Sequence, residues 1–125
     1  MKKYRFVRSF LFALQGVRQV FTTEANMRIH LVFTALVIIC GFIFKISVTE
    51  WMFCLMSFGW VISMEMMNTA IEKYVDFVTP EYHTAAGHAK DIAAGAVLIS
   101  ALFAAIVGLI IFVPKGWIFI LKLLD

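Results

Sequence analysis

The chain has 125 residues, 62% of them apolar and only 15% charged, with a net charge of +3. That length suits one domain. The apolar share is well above the soluble average of about 45–50% and the mean hydropathy is +0.92, which excludes a water-soluble globule and leaves the integral-membrane class.

Residues 4–21 repeat as a helix. Phe6, Phe10, Leu14, Val17 and Phe21 share one face, and Arg5, Arg8, Gln15 and Arg18 lie away from it. The expectation is an amphipathic surface helix lying along the membrane. Its basic start passes into this stretch without a short apolar core and cleavage site, so it reads as no signal peptide. Thr22 to Asn26 is a capping-type stretch, Thr ahead of an acidic residue, that opens the next helix. Leu31 to Phe44 carries no charge. With its flanks, and with Arg28 and Lys45 snorkelling, a first span over 26–46 reaches the roughly 20 residues a bilayer requires.

After the brief turn Lys45–Glu50, Trp51 is an interfacial anchor and a second span covers 51–75. Residues 77–90 form a polar connection with a turn at Thr79-Pro80. A third span over 91–113 holds Ala96, Ser100, Ala104 and Gly108 at steps of four, a ladder of small residues that lets helices approach closely. Pro114-Lys115-Gly116 is expected to close it, leaving 117–124 as a short interfacial tail. Cys40 and Cys54 lie in apolar runs without CxxC spacing and read as small hydrophobes.

Three spans place the two ends on opposite sides. Residues 1–30 and 73–91 then share a face that holds eight of the eleven Lys and Arg residues, and the positive-inside rule makes it cytoplasmic. The basic bias suits an anionic lipid surface; nucleic acid is not expected, because no basic polar domain follows.

The chemistry concentrates in Glu65–Asp76, directly after the uncharged run Trp51–Met64. Positions i, i+7 and i+11 return to nearly one helix face, so Glu65, Glu72 and Asp76 form an acidic stripe with Asn68 beside it. Carboxylates at the end of an apolar span must be solvated, paired or bound to a cation. Glu24, Glu72, Asp76, Lys90 and Asp91 all gather at the same boundary, a set that suits Mg²⁺ and a polyphosphate. No GxxxxGK[ST] loop or protein-kinase signature occurs, which excludes a soluble kinase domain. Two other readings stay open on these residues. One is a proton-coupled transporter using the intramembrane Glu65; the other is a structural ion pair across helices. His83 and His88 make no metal site by themselves.

The combination Glu65-x-x-Asn68-x-Ala70-Ile71-Glu72-x-x-x-Asp76, then Glu81-Tyr82-His83, then Ala89-Lys90-Asp91-x-Ala93-Ala94-Gly95-Ala96-Val97-Leu98 resembles the bacterial membrane diacylglycerol kinase and undecaprenol kinase family, from about Gly16 to Lys115. The resemblance implies an all-α homotrimer of three-span protomers, each with an N-terminal surface helix, that uses Mg-ATP to phosphorylate a membrane lipid hydroxyl on the cytoplasmic side. It implies that Glu65 is the general base at the lipid substrate, with Asn68 supporting it, and that Glu24 and Glu72 hold Mg²⁺. Arg5, Asp76, Glu81, Tyr82, His83, Lys90 and Asp91 would join them around the nucleotide. The segments Glu24–His30 and Ile110–Lys115 look more like the undecaprenol kinase branch than the diacylglycerol one.

Overall fold

Four helices follow one another in the structure, a computed structural model that describes residues 2–125 and the side chains of residues 4–125. They are α1 (Lys2–Thr23), α2 (Ala25–Ile43), α3 (Val48–Val78) and α4 (Thr84–Leu124). The all-α class expected from the periodicity is what forms. Among the described residues, α2 and α4 are long and apolar enough to cross a membrane. Ser57, Ser63, Glu65 and Asn68 dilute the apolar character of α3.

The junction of α1 and α2 departs from the expected cap. The hydroxyls of Thr22 and Thr23 donate one turn back, to the carbonyls of Arg18 and Gln19 at 2.9 Å each. They therefore complete α1 and leave α2 uncapped by Thr. The N-cap is Glu24, alone between the two helices, in an extended conformation (φ −94°, ψ 120°), with no capping bond from its own side chain.

At the other end of α2, Lys45 adopts φ +50°. The amide of Ile46 donates to the Gly41 carbonyl at 3.1 Å and that of Lys45 to Phe42 at 3.4 Å. This is a Schellman turn with Lys at the position that ordinarily selects glycine. Ser47 then opens α3 through a capping box with Glu50, so two orphan donors at the helix start are satisfied reciprocally. Trp51, expected as an interfacial anchor, is half-buried; its ring lies 5.1 Å from that of Phe42. A Cβ on Gly41 would come within 2.5 Å of the Trp51 ring.

Helix α4 is longer than the expected span at both ends. It begins at Thr84, inside the stretch read as a polar connection, and passes through Pro114 to Leu124. The expected stop at Pro114-Lys115-Gly116 is absent. Proline forfeits one bond of the ladder and crowds the preceding turn. Apolar residues on both sides still favour helix, because an unwound backbone there would lose many more bonds than one.

Helix α3 packs chiefly against α4 and more lightly against α2. Its inward positions Cys54, Phe58, Val61, Glu65, Asn68, Glu72 and Val75, all buried or half-buried, step alternately by four and three, the spacing of a seam between helices. Near the α2–α3 turn the seam is apolar: Ile46, Cys54 and Ile111 are buried against Phe44, Trp51 and Phe58. Toward its other end the same seam turns polar. Lys115 Nζ pairs with Glu50 at 3.4 Å at the apolar end, and Lys90 Nζ with Asp76 at 2.7 Å at the polar end. The segments Glu50–Asp76 and Lys90–Lys115 are nearly equal, each roughly 38 Å at 1.5 Å per residue, so these two rungs suit a single antiparallel register.

Candidate active site

Glu65 is buried because it occupies a seam position of α3, where an apolar residue would otherwise stand. It is 3% exposed, and its carboxylate has one partner among the described residues: Nε2 of His30 on α2 lies 3.0 Å from Oε1. A carboxylate only accepts, so the ring nitrogen facing it carries the proton and donates. His30 also lines an open, groove-like cavity of about 340 Å³ between α2, α3 and α4. Its other walls are apolar except for Thr34, whose hydroxyl donates to the His30 carbonyl at 2.8 Å. His30 is the site residue the sequence reading passed over. The available signal was its position, an ionisable side chain at the start of an uncharged span, which is itself grounds for suspecting function.

One turn along α3, the Asn68 amide nitrogen donates to Glu72 Oε1 at 3.3 Å. The expected support of Glu65 by Asn68 is not the bond observed: Asn68 holds Glu72, and His30 holds Glu65. The amide orientation is set by chemistry, since the opposite one would oppose two acceptors. Asn68 Oδ1 is left buried with no partner among the described residues, a condition worth about 1–3 kcal/mol against folding until a donor or cation arrives.

Glu24 reaches α3 from the α1–α2 junction. Its Oε1 lies 3.0 Å from the Thr23 hydroxyl oxygen and 3.5 Å from Lys73 Nζ, beside Glu72 in sequence. Lys90 approaches from α4. The hydrogen bond it donates to Asp76 holds its pKa above the ordinary lysine value, and the charges of Asp76 and Glu72 add to this against partial desolvation. Glu24, Glu72, Lys73, Asp76 and Lys90 therefore converge at one end of the bundle, although the acidic stripe divides: Glu65 is buried, Glu72 half-buried and Asp76 exposed.

The remaining candidates lie on the periphery. His83 is the N-cap of α4, its Nδ1 accepting from the Ala85 amide at 3.2 Å, so only Nε2 is left to face a ligand. Glu81 and Asp91 are exposed, and Tyr82 is 91% exposed. Arg5 stands near the far end of α1, roughly 27 Å from Thr23 along the helix at 1.5 Å per residue. Among the described residues, no group of three or more His, Cys, Asp or Glu side chains converges as a metal cage. Mg²⁺ does not require one; it takes one or two carboxylates and completes its shell with water and phosphate oxygens.

The profile of the prokaryotic diacylglycerol kinase family matches residues 11–112. The chain belongs to that family. It is 43% identical over 111 residues to an undecaprenol kinase of Bacillus subtilis, covering 89% of this chain and 90% of that one. A diacylglycerol kinase of Synechocystis sp. is 37% identical over 107 residues, 85% of this chain and 61% of that one. A diacylglycerol kinase of Escherichia coli is 29% identical over 102 residues, covering 82% and 84%. Every candidate residue except Arg5 falls inside the part of this chain that the profile matches.

Proposed function

We propose that this chain is a lipid kinase that transfers the γ-phosphate of Mg-ATP to the hydroxyl of undecaprenol at the cytoplasmic face of the cell membrane, giving undecaprenyl phosphate. Family membership supports the kinase activity, and the name of the Bacillus subtilis relative supports the acceptor. The observation that carries the reading is the placement of Glu65. It is a buried carboxylate, held by a residue that lines an apolar cavity, on the helix whose next turns lead through buried Asn68 and half-buried Glu72 to exposed Asp76. A lipid alcohol needs those two environments side by side.

In this reading the cavity takes part of the acceptor's chain, and Glu65 receives the hydroxyl proton as the oxygen attacks the γ-phosphorus. One O–H bond and the bond from phosphorus to the leaving ADP oxygen break; one P–O bond forms. Such proton transfer typically contributes 10²–10⁴-fold. Glu24 and Glu72 would hold Mg²⁺, which neutralises charge on the phosphates when bound. The unpartnered Asn68 Oδ1 fits a hydrated cation or an incoming hydroxyl. Lys90, steadied by Asp76, supplies positive charge on the water side, with Asp91, Glu81, Tyr82 and His83 near the nucleotide.

Three spans, over 26–46, 51–75 and 91–113, put the N-terminus and this site on the cytoplasmic side. A homotrimer fits the rest. Arg5 is too far along α1 to share a nucleotide with its own Glu24, so it would serve the site of a neighbouring copy. Purified protein, labelled ATP and undecaprenol or diacylglycerol in mixed micelles test the proposal. Preferential labelling of undecaprenol is expected; preferential labelling of diacylglycerol moves the assignment to the activity named for the other two relatives. No labelling of either refutes lipid kinase activity.

A further inference from the structure

The bond between His30 and Glu65 has a use that follows from its geometry. Glu65 reaches its position through a flexible side chain, and a base must lie within hydrogen-bond reach of the proton it removes. Only one of its oxygens is held among the described residues. The holding group stands on a different helix, so it fixes the carboxylate in space and not merely relative to α3. Its backbone is tied in turn: Thr34 donates to its carbonyl. Its ring lines the cavity, where Thr34 is the only other polar side chain among the described residues. An alcohol whose chain occupies that cavity therefore reaches the His30 ring, and through it the carboxylate of Glu65 held 3.0 Å away.

We propose that His30 is the positioning residue of the general base: the donor at Nε2 fixes Oε1 of Glu65 and leaves Oε2 to accept the proton of the lipid hydroxyl. Imidazole suits this task because it offers a directed donor without an obligatory full positive charge beside the base. Lys or Arg would hold the carboxylate equally well and always oppose its protonation. The inference rests on Glu65 being the base.

The test uses the full chain in mixed micelles, with undecaprenol as acceptor and both substrates varied. His30→Ala is expected to lower kcat about 10–100-fold, the scale of a small misplacement of a catalytic group, with KM for Mg-ATP unchanged. His30→Gln, whose terminal amide can reach as Nε2 does, is expected to recover most of that loss. His30→Asn is too short and should behave like Ala; it also serves if the Ala variant fails to fold. Adding His30→Ala to Glu65→Gln should cause no further loss, because the two act as one unit.

A kcat within twofold of wild type in His30→Ala, while Glu65→Gln is inactive, overturns the positioning role and leaves the base in place. Equal losses in the Ala, Asn and Gln variants would also overturn it, since packing alone would explain them. If Glu65→Gln keeps its activity, the underlying assignment of the base is what fails.

Discussion

Glu65→Gln separates a chemical role from a structural one. The replacement keeps the shape and an acceptor oxygen at Oε1, so the His30 donor at 3.0 Å retains a partner. Stability loses only the difference between a charge-assisted and a neutral hydrogen bond, about 1 kcal/mol. The swap also removes a carboxylate from a position that is 3% exposed, which offsets part of that loss. Turnover has no such compensation. An amide cannot take the hydroxyl proton, and loss of a general base should lower kcat about 10²–10⁴-fold, or about 2.7–5.4 kcal/mol of barrier. Initial rates at saturating undecaprenol and Mg-ATP, beside thermal unfolding in the same micelles, give both quantities. A kcat within threefold of wild type, in protein that melts normally, would refute the argument that the buried carboxylate does the chemistry.

Glu24→Gln and Glu72→Gln should each raise the Mg²⁺ concentration needed for half-maximal rate while leaving lipid KM unchanged; an unaltered Mg²⁺ titration refutes the ligand assignment. Gly41→Ala would drive a methyl into Trp51 and should destabilise the protein by about 1–3 kcal/mol, read by thermal or denaturant unfolding. Lys45→Gly relieves a left-handed residue in the Schellman turn and should stabilise by about 1 kcal/mol in the same measurement. Lys90 is a lysine whose pKa is raised by Asp76, so its contribution is complete below the ordinary value of 10.5 and is lost as pH rises through the higher folded value. Melting curves should show an alkaline loss above about pH 10.5 that Lys90→Gln lacks.

Much of the site could be read from residue order alone. The run Glu65–Asp76 declared itself because charge follows abruptly on an uncharged stretch. The meeting of Glu24 with α3 and of Lys90 with Asp76 followed from counting crossings. What escaped depended on side-chain choices that spacing does not determine. Asn68 could have turned to Glu65 or to Glu72. His30 carries no role in the residue pattern, because nothing in its own helix indicates which residue of α3 it faces. Thr22 and Thr23 have a capping sequence but spend their hydroxyls on the turn behind them. Pro114 was read as a stop, yet proline loses only one backbone bond, and the apolar residues around it leave no solvent to replace the others.

The two charged rungs at Glu50–Lys115 and Asp76–Lys90 also act as a calliper. Neither pair can sink into hydrocarbon, and the roughly 38 Å of helix between them exceeds a core about 30 Å thick by little more than the headgroup margins. In the three-span arrangement, lipid thickness therefore sets the tilt of α3 and α4 together, and with it how far below the headgroups the reacting alcohol must come to rest. A kinase built this way would register a thinner or thicker bilayer as a change in turnover.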